Sequence, residues 1–143
     1  MDESRAGVKM NLSFYKTCFK ITAVGNIIAA AAAIASMPTH LELFYGAVEI
    51  NPLLRFYHYN FWIFVLILGV SYWHLGNKPI ELRIVALVGA VGKLFVAGSW
   101  IHLLSIGFAK PIVLLGILYD GFFGLLMAWF YWKTRNSTTL NEQ

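Results

Sequence analysis

The chain has 143 residues, of which 59% are hydrophobic and only 13% charged, with a mean hydropathy of +0.65. A soluble domain carries about 25% charged residues, so this composition argues against a soluble fold and points into a membrane. The net charge of +4 comes with no basic stripe or nucleic-acid recognition motif, and the single cysteine, Cys18, excludes an intrachain disulfide.

Crossing a bilayer takes about 20 mostly apolar residues. The first stretch that qualifies covers residues 19–37, behind a basic segment with Arg5, Lys9, Lys16 and Lys20. Basic segment, apolar run and Ala33-Ile34-Ala35 together also resemble a signal peptide. The length of the basic region and the interruption by Asn26 weigh against that reading. Next comes the only long connection, residues 40–57, where LELFYGAVEINPLLRFY mixes apolar residues with Glu42, Glu49 and Arg55. It reads as a short amphipathic helix on the outer interface, placed as a cover or lid. Span two covers 58–74, and Gly76-Asn77-Lys78-Pro79 separates it from span three at 84–106. Gly107-Phe108-Ala109-Lys110 then leads into span four, 111–132. Pro38, Pro52, Pro79 and Pro111 all fall between or at the ends of spans, where a missing N–H costs least. The fold class is therefore an all-α membrane protein, an antiparallel four-transmembrane-helix bundle forming one domain over 1–143.

Orientation follows from lysine and arginine. Besides the N-terminal segment, Lys78, Arg83, Lys133 and Arg135 lie on one side, against only Arg55 and Lys110 on the other. Both termini are expected in the cytoplasm. Trp62 and Trp100 would then mark the outer interface, and Trp73, Trp129 and Trp132 the inner one.

Three polar residues fall at mid-depth. At 1.5 Å per residue, Lys93 lies about 13 Å into span three and Asp120 about 13 Å into span four from the opposite face, so both reach the middle of the bilayer. A charge there costs at least about 2.5–3.5 kcal/mol on insertion scales unless paired or hydrated, so the two are expected to pair. Gly89, Lys93 and Ala97 follow one another at four-residue spacing, as do Gly116, Asp120 and Gly124. Small residues on a shared stripe let helix backbones approach closely. Thr22, Asn26 and Ala30 form a comparable stripe on span one, with Asn26 placed to bond the pair. Span two offers only Ser71 near its inner end and is expected to act mainly as cover. Lys93, Asp120 and Asn26 form either a functional polar site or a structural pin that fixes helix register.

The remaining polar residues carry weaker signals. His40, His58 and His102 all fall on the outer side and could hold a metal, or His58 and His102 a haem, but no tight ligand spacing supports either, and no cofactor is expected. His102 lies on the opposite helix face from Lys93. Glu42 and Glu49 read as solvated, Tyr72 as interfacial and Tyr119 as packing. Gly89-Ala90-Val91-Gly92-Lys93 lacks the spacing and hydroxyl of a phosphate loop. No Ser/His/Asp arrangement can be assigned, and the acceptor sequence Asn136-Ser137-Thr138 lies in a tail placed inside.

With these residues in view, the chain resembles a family of small uncharacterised bacterial four-span inner-membrane proteins, best over Ser71–Lys93, SYWHLGNKPIELRIVALVGAVGK. Members share a GY-like end to span two, a proline starting the next segment, VGxxGK in span three, an Asn in span one and an Asp in span four followed by aromatics. The sequence departs from them in having only Gly69 in span two, Val96-Ala97 where members have Gly-Pro, and Tyr119 where they have Asn. The resemblance implies the fold, the Lys/Asp pair and a bacterial inner-membrane location, without an activity.

The expected function is binding or transport of a small amphiphile, lipid or proton at Lys93, Asp120 and Asn26. Membrane lipids are the natural partners, and a transporter of this size calls for a homodimer, with the alanines 29–33 as one interface. The alternatives are an accessory subunit of a larger membrane complex and, less favoured, an intramembrane redox or lipid-modifying enzyme.

Overall fold

In the computed structural model, residues 11–136 are described. Arg5, Lys9, Ser137 and Thr138 lie outside the described residues. Five helices follow in chain order: α1 (Leu12–Ala35), α2 (Met37–Tyr45), α3 (Pro52–Asn77), α4 (Arg83–Ser105) and α5 (Val113–Thr134). All but α2 are long and apolar enough to cross a membrane. The chain is thus an all-α four-span bundle.

Two helices begin well before the hydropathy boundary, because caps rather than apolarity start them. The Asn11 side chain accepts the Phe14 N–H at 3.1 Å, so α1 starts at Leu12 instead of residue 19. Asn51 does the same for Leu54 at 2.8 Å, with Pro52 in the first turn, so α3 starts at Pro52 instead of 58. The outer connection is correspondingly shorter than its sequence suggested. Its helix, α2, is closed by Gly46 at φ 86°, a left-handed conformation that suits glycine. Residues from Pro52 onward belong to a membrane-length helix. All four prolines sit at helix starts or in turns.

The packing is uneven. α1 lies closely against α3, and α4 against α5, while the two pairs meet each other less intimately. Tyr15 near the start of α1 and Phe130 near the end of α5 approach with ring centroids 5.0 Å apart, so α1 begins and α5 ends at the same end of the bundle, the termini end. At this termini end, Phe19, Tyr72, Leu75, Ala86, Met127 and Phe130 form a close-packed core. Three basic residues here lie over tryptophans: Lys20 on Trp73, Lys133 on Trp129 and Arg135 on Trp132, 4.8–5.4 Å from the rings. Such amphipathic pairs suit a membrane–water boundary.

At the other end α2 bridges the pairs. Lys110, in the α4–α5 turn, donates from its backbone N–H to Phe44 O at 2.7 Å and from Nζ to Glu42 O at 2.9 Å. A lysine thus closes the carbonyl end of α2, a favourable use of charge there. Phe44 on Trp100 and Tyr45 on Phe108 add ring contacts between the same elements.

The alanine run is used inside the chain. Ala30 and Ala33 are buried against Trp62 of α3, while Ala29, Ala31 and Ala32 are exposed, Ala29 and Ala32 along the wall of a cleft. Trp62 is likewise buried rather than an interfacial marker. Outward-facing side chains such as Ile28, Ile63, Val91, Leu118 and Leu125 are apolar and exposed, as a lipid-facing surface requires.

Candidate functional site: a polar cluster at the floor of an apolar cleft

Where the stripes on α4 and α5 face each other, Lys93 Nζ donates to Asp120 Oδ1 at 2.6 Å. It also donates to Asn26 Oδ1 of α1 at 3.1 Å. The side chains of Lys93 and Asp120 are 5% and 15% exposed. In water such a pair contributes little; at this depth each partner is the other's main compensation for lost hydration. The structure therefore brings together all three residues that the sequence placed at mid-depth.

The small residues act as expected, with one refinement. A methyl added at Gly124 would lie 2.9 Å from Leu94 Cγ and 3.3 Å from Lys93 Cβ, so the bare backbone of α5 is what admits the lysine. Gly116 makes room for the Trp100 ring, and Ala97 is buried. Gly89, however, opens toward α3 as well as α5: an added methyl would meet Tyr72 Cε1 at 2.7 Å and Met127 Sδ at 2.8 Å.

Two tyrosines complete the cluster, and their sequence readings need correction. Tyr72 is not interfacial: it is fully buried, its ring centroid 5.9 Å from Lys93 Nζ, and its hydroxyl has no hydrogen-bond partner among the described residues. Span two is thus more than cover, because α3 supplies this ring. Tyr119 does more than pack. Its hydroxyl donates to Thr22 O at 3.0 Å and its ring lies 4.6 Å from Lys93 Nζ, so the ammonium faces aromatic π-density as well as carboxylate. The helical spacing of Gly69, Tyr72 and Gly76, one face directed at α1, was the available signal for Tyr72.

From this floor a cleft of about 830 Å³ runs between the two helix pairs to Ser36, Thr39, His40 and Trp100 at the α2 end. It is bounded below by Tyr72 and the close-packed core, and walled by small or apolar residues including Gly25, Ala32, Gly92 and Leu68. Exposed Phe61, Phe64 and Phe95 form a side mouth between α3 and α4. The size falls in the range of ligand pockets, about 300–1,000 Å³.

His40 stands at the far end. Its ring stacks on Phe44 at 4.5 Å and meets Trp62 and His58 edge-on at 5.0 and 5.3 Å. Neither ring nitrogen has a hydrogen-bond partner among the described residues. Burial, reinforced by the nearby His58, pushes its pKa down to about 4. His58 donates from Nε2 to Ala33 O at 3.0 Å, tying α3 to α1. His40, Trp62 and Trp100 also border a smaller chamber of about 340 Å³. His102 is exposed and takes no part. The structure therefore joins two of the three histidines expected on the outer side, and among the described residues no group of three His, Cys, Asp or Glu side chains is placed to share a metal ion.

Fold and site together define a class: a small four-span helical bundle with a charged pair held within its helices under an apolar cleft. Compared with protein-family models, curated proteins and solved structures, the chain matches none.

Proposed function

We propose that this protein binds, and in an assembled form transports, a small amphiphile whose polar head meets Lys93, Asp120 and Asn26. The observation that carries the reading is the coincidence of a ligand-sized apolar cleft with a charged pair at its closed end. A pin that only fixed helix register would need the pair, but no cavity above it. The enclosed floor matches the general form of small-molecule sites, apolar walls with a few convergent polar groups.

The setting we propose is a bacterial inner membrane with both termini in the cytoplasm. The lysine and arginine distribution and the basic–tryptophan pairs at the termini end support it, as does the resemblance carried by Ser71–Lys93 and Asp120.

Native mass spectrometry of the chain extracted in mild detergent tests the reading, using Lys93→Met/Asp120→Leu as the comparison. Replacing both members of a buried pair by apolar side chains is often neutral for folding. A double variant that melts like the native chain but loses its co-purifying amphiphile is the expected result. Retention of the same ligand by that variant reduces the pair to a pin and favours an accessory subunit.

A further inference from the structure

The polar group at the cleft floor is balanced in charge before any ligand arrives. Lys93 and Asp120 sum to zero whether the shared proton rests on the amine or on the carboxylate. Neither, however, is hydrogen-bonded to capacity. A lysine ammonium has three N–H donors; Lys93 uses one on Asp120 Oδ1 and one on Asn26 Oδ1. Asp120 accepts only through Oδ1, which leaves Oδ2 as an acceptor without a partner among the described residues. Both side chains line the cleft, as does Tyr72, whose buried hydroxyl is also unpartnered.

We infer that the cleft takes an uncharged amphiphile with a hydroxyl head, seated between Lys93 and Asp120, its apolar body running toward His40 and Trp100. The inference rests on the binding function proposed above and narrows its ligand. A hydroxyl both donates and accepts, so it receives the spare lysine proton and donates to Asp120 Oδ2 at once. A carboxylate or phosphate head would satisfy the lysine but place a second negative charge beside Asp120, where the lining offers no further cation on the floor. An ammonium head reverses the same conflict at Lys93. A carbonyl head answers the lysine and leaves the carboxylate oxygen unpaired. Unpaired polar groups and uncompensated charge are what an interior of low polarity penalises most. Above the floor, α4 rises about 10 Å from Lys93 to Trp100, past walls with no lysine, arginine or carboxylate beyond the pair itself, a run suited to a hydrocarbon body.

The test uses three probes of one chain length: hexadecanol, hexadecanoate and hexadecylamine. Each is offered to the purified full chain at neutral pH and equal mole fraction in the detergent micelle, and bound species are counted by native mass spectrometry. Hexadecanol is expected to exceed either charged probe by about tenfold or more, the worth of hydrogen bonds to charged groups. Lys93→Met/Asp120→Leu should lose that preference. Should the double variant fail to fold, Ala32→Phe, which narrows the cleft away from the pair, should weaken hexadecanol capture while the melting transition stays in place. Hexadecanoate or hexadecylamine binding as well as hexadecanol would overturn the hydroxyl head but leave the binding function standing. If a chain with a cooperative melt captures none of the three, or if Ala32→Phe captures hexadecanol unchanged, the cleft is no amphiphile site and both readings fall.

Discussion

The two halves of this bundle are built from the same four helices and differ in what fills the space between them. At the termini end Phe19, Tyr72, Leu75, Met127 and Phe130 interlock. Toward α2 the cleft is lined by small residues such as Ala29, Ala32 and Gly92, and the helix pairs stand apart around it. The difference teaches that side-chain volume, not helix number or hydropathy, decides where a small membrane bundle closes. Lys93 and Asp120 sit at the boundary, where packing gives way to space.

Breaking that boundary should have the largest effect. Lys93→Ala or Asp120→Ala alone leaves a buried charge without its partner and should cost about 3–5 kcal/mol, read as a fall in the melting transition in detergent. An unchanged melt in either single variant would show that the pair is not sealed from water.

The contrast between halves can be sharpened within one turn of α4. Gly89 lies in the packed half, where an added methyl meets Tyr72 and Met127 within 2.8 Å. Gly92→Ala, by contrast, meets nothing within 4 Å. Gly89→Ala should therefore destabilise by about 1–3 kcal/mol through overpacking. Gly92→Ala should be neutral or stabilise by up to about 1 kcal/mol, the gain in helix propensity. Equal costs at the two sites would mean that the halves are equally tight.

A smaller effect is expected at the α2 end on acidification. The His40 imidazole titrates near 6.5 when unfolded and about 4 in the structure, so the fold binds fewer protons than the unfolded chain between those values. Its contribution is complete above about pH 6.5 and is lost as pH falls toward 4. Melting curves across that window should show a decline that His40→Phe flattens. If the variant declines as steeply as the native chain, another group is responsible. The smallest effect on stability belongs to Ala32→Phe, within about 0.5 kcal/mol, because its ring has the cleft to enter; a large loss would mean that the cleft is closed in solution.

Much of this was legible in the residues themselves. The four spans follow from apolar length, and the meeting of Lys93, Asp120 and Asn26 from helical rise and the cost of an unpaired charge in lipid. The helix starts were less so, since Asn11 and Asn51 act through local hydrogen bonds that hydropathy does not register. Tyr72 was misplaced because an aromatic near a span end suits an interface and a core equally well. Which one it joins depends on whether a neighbouring helix, here α4 at Gly89, leaves it room.

By itself, then, the sequence determined the four long helices, their antiparallel order and the place of the charged pair along them. These depend on local chemistry and on 1.5 Å of rise per residue. Only the tertiary structure decided that α1 pairs with α3 and α4 with α5, that α2 is tied down by Lys110, and that a cleft opens above the pair. Those outcomes depend on how side-chain volumes from distant segments fit together, and no periodicity along a single helix records that fit.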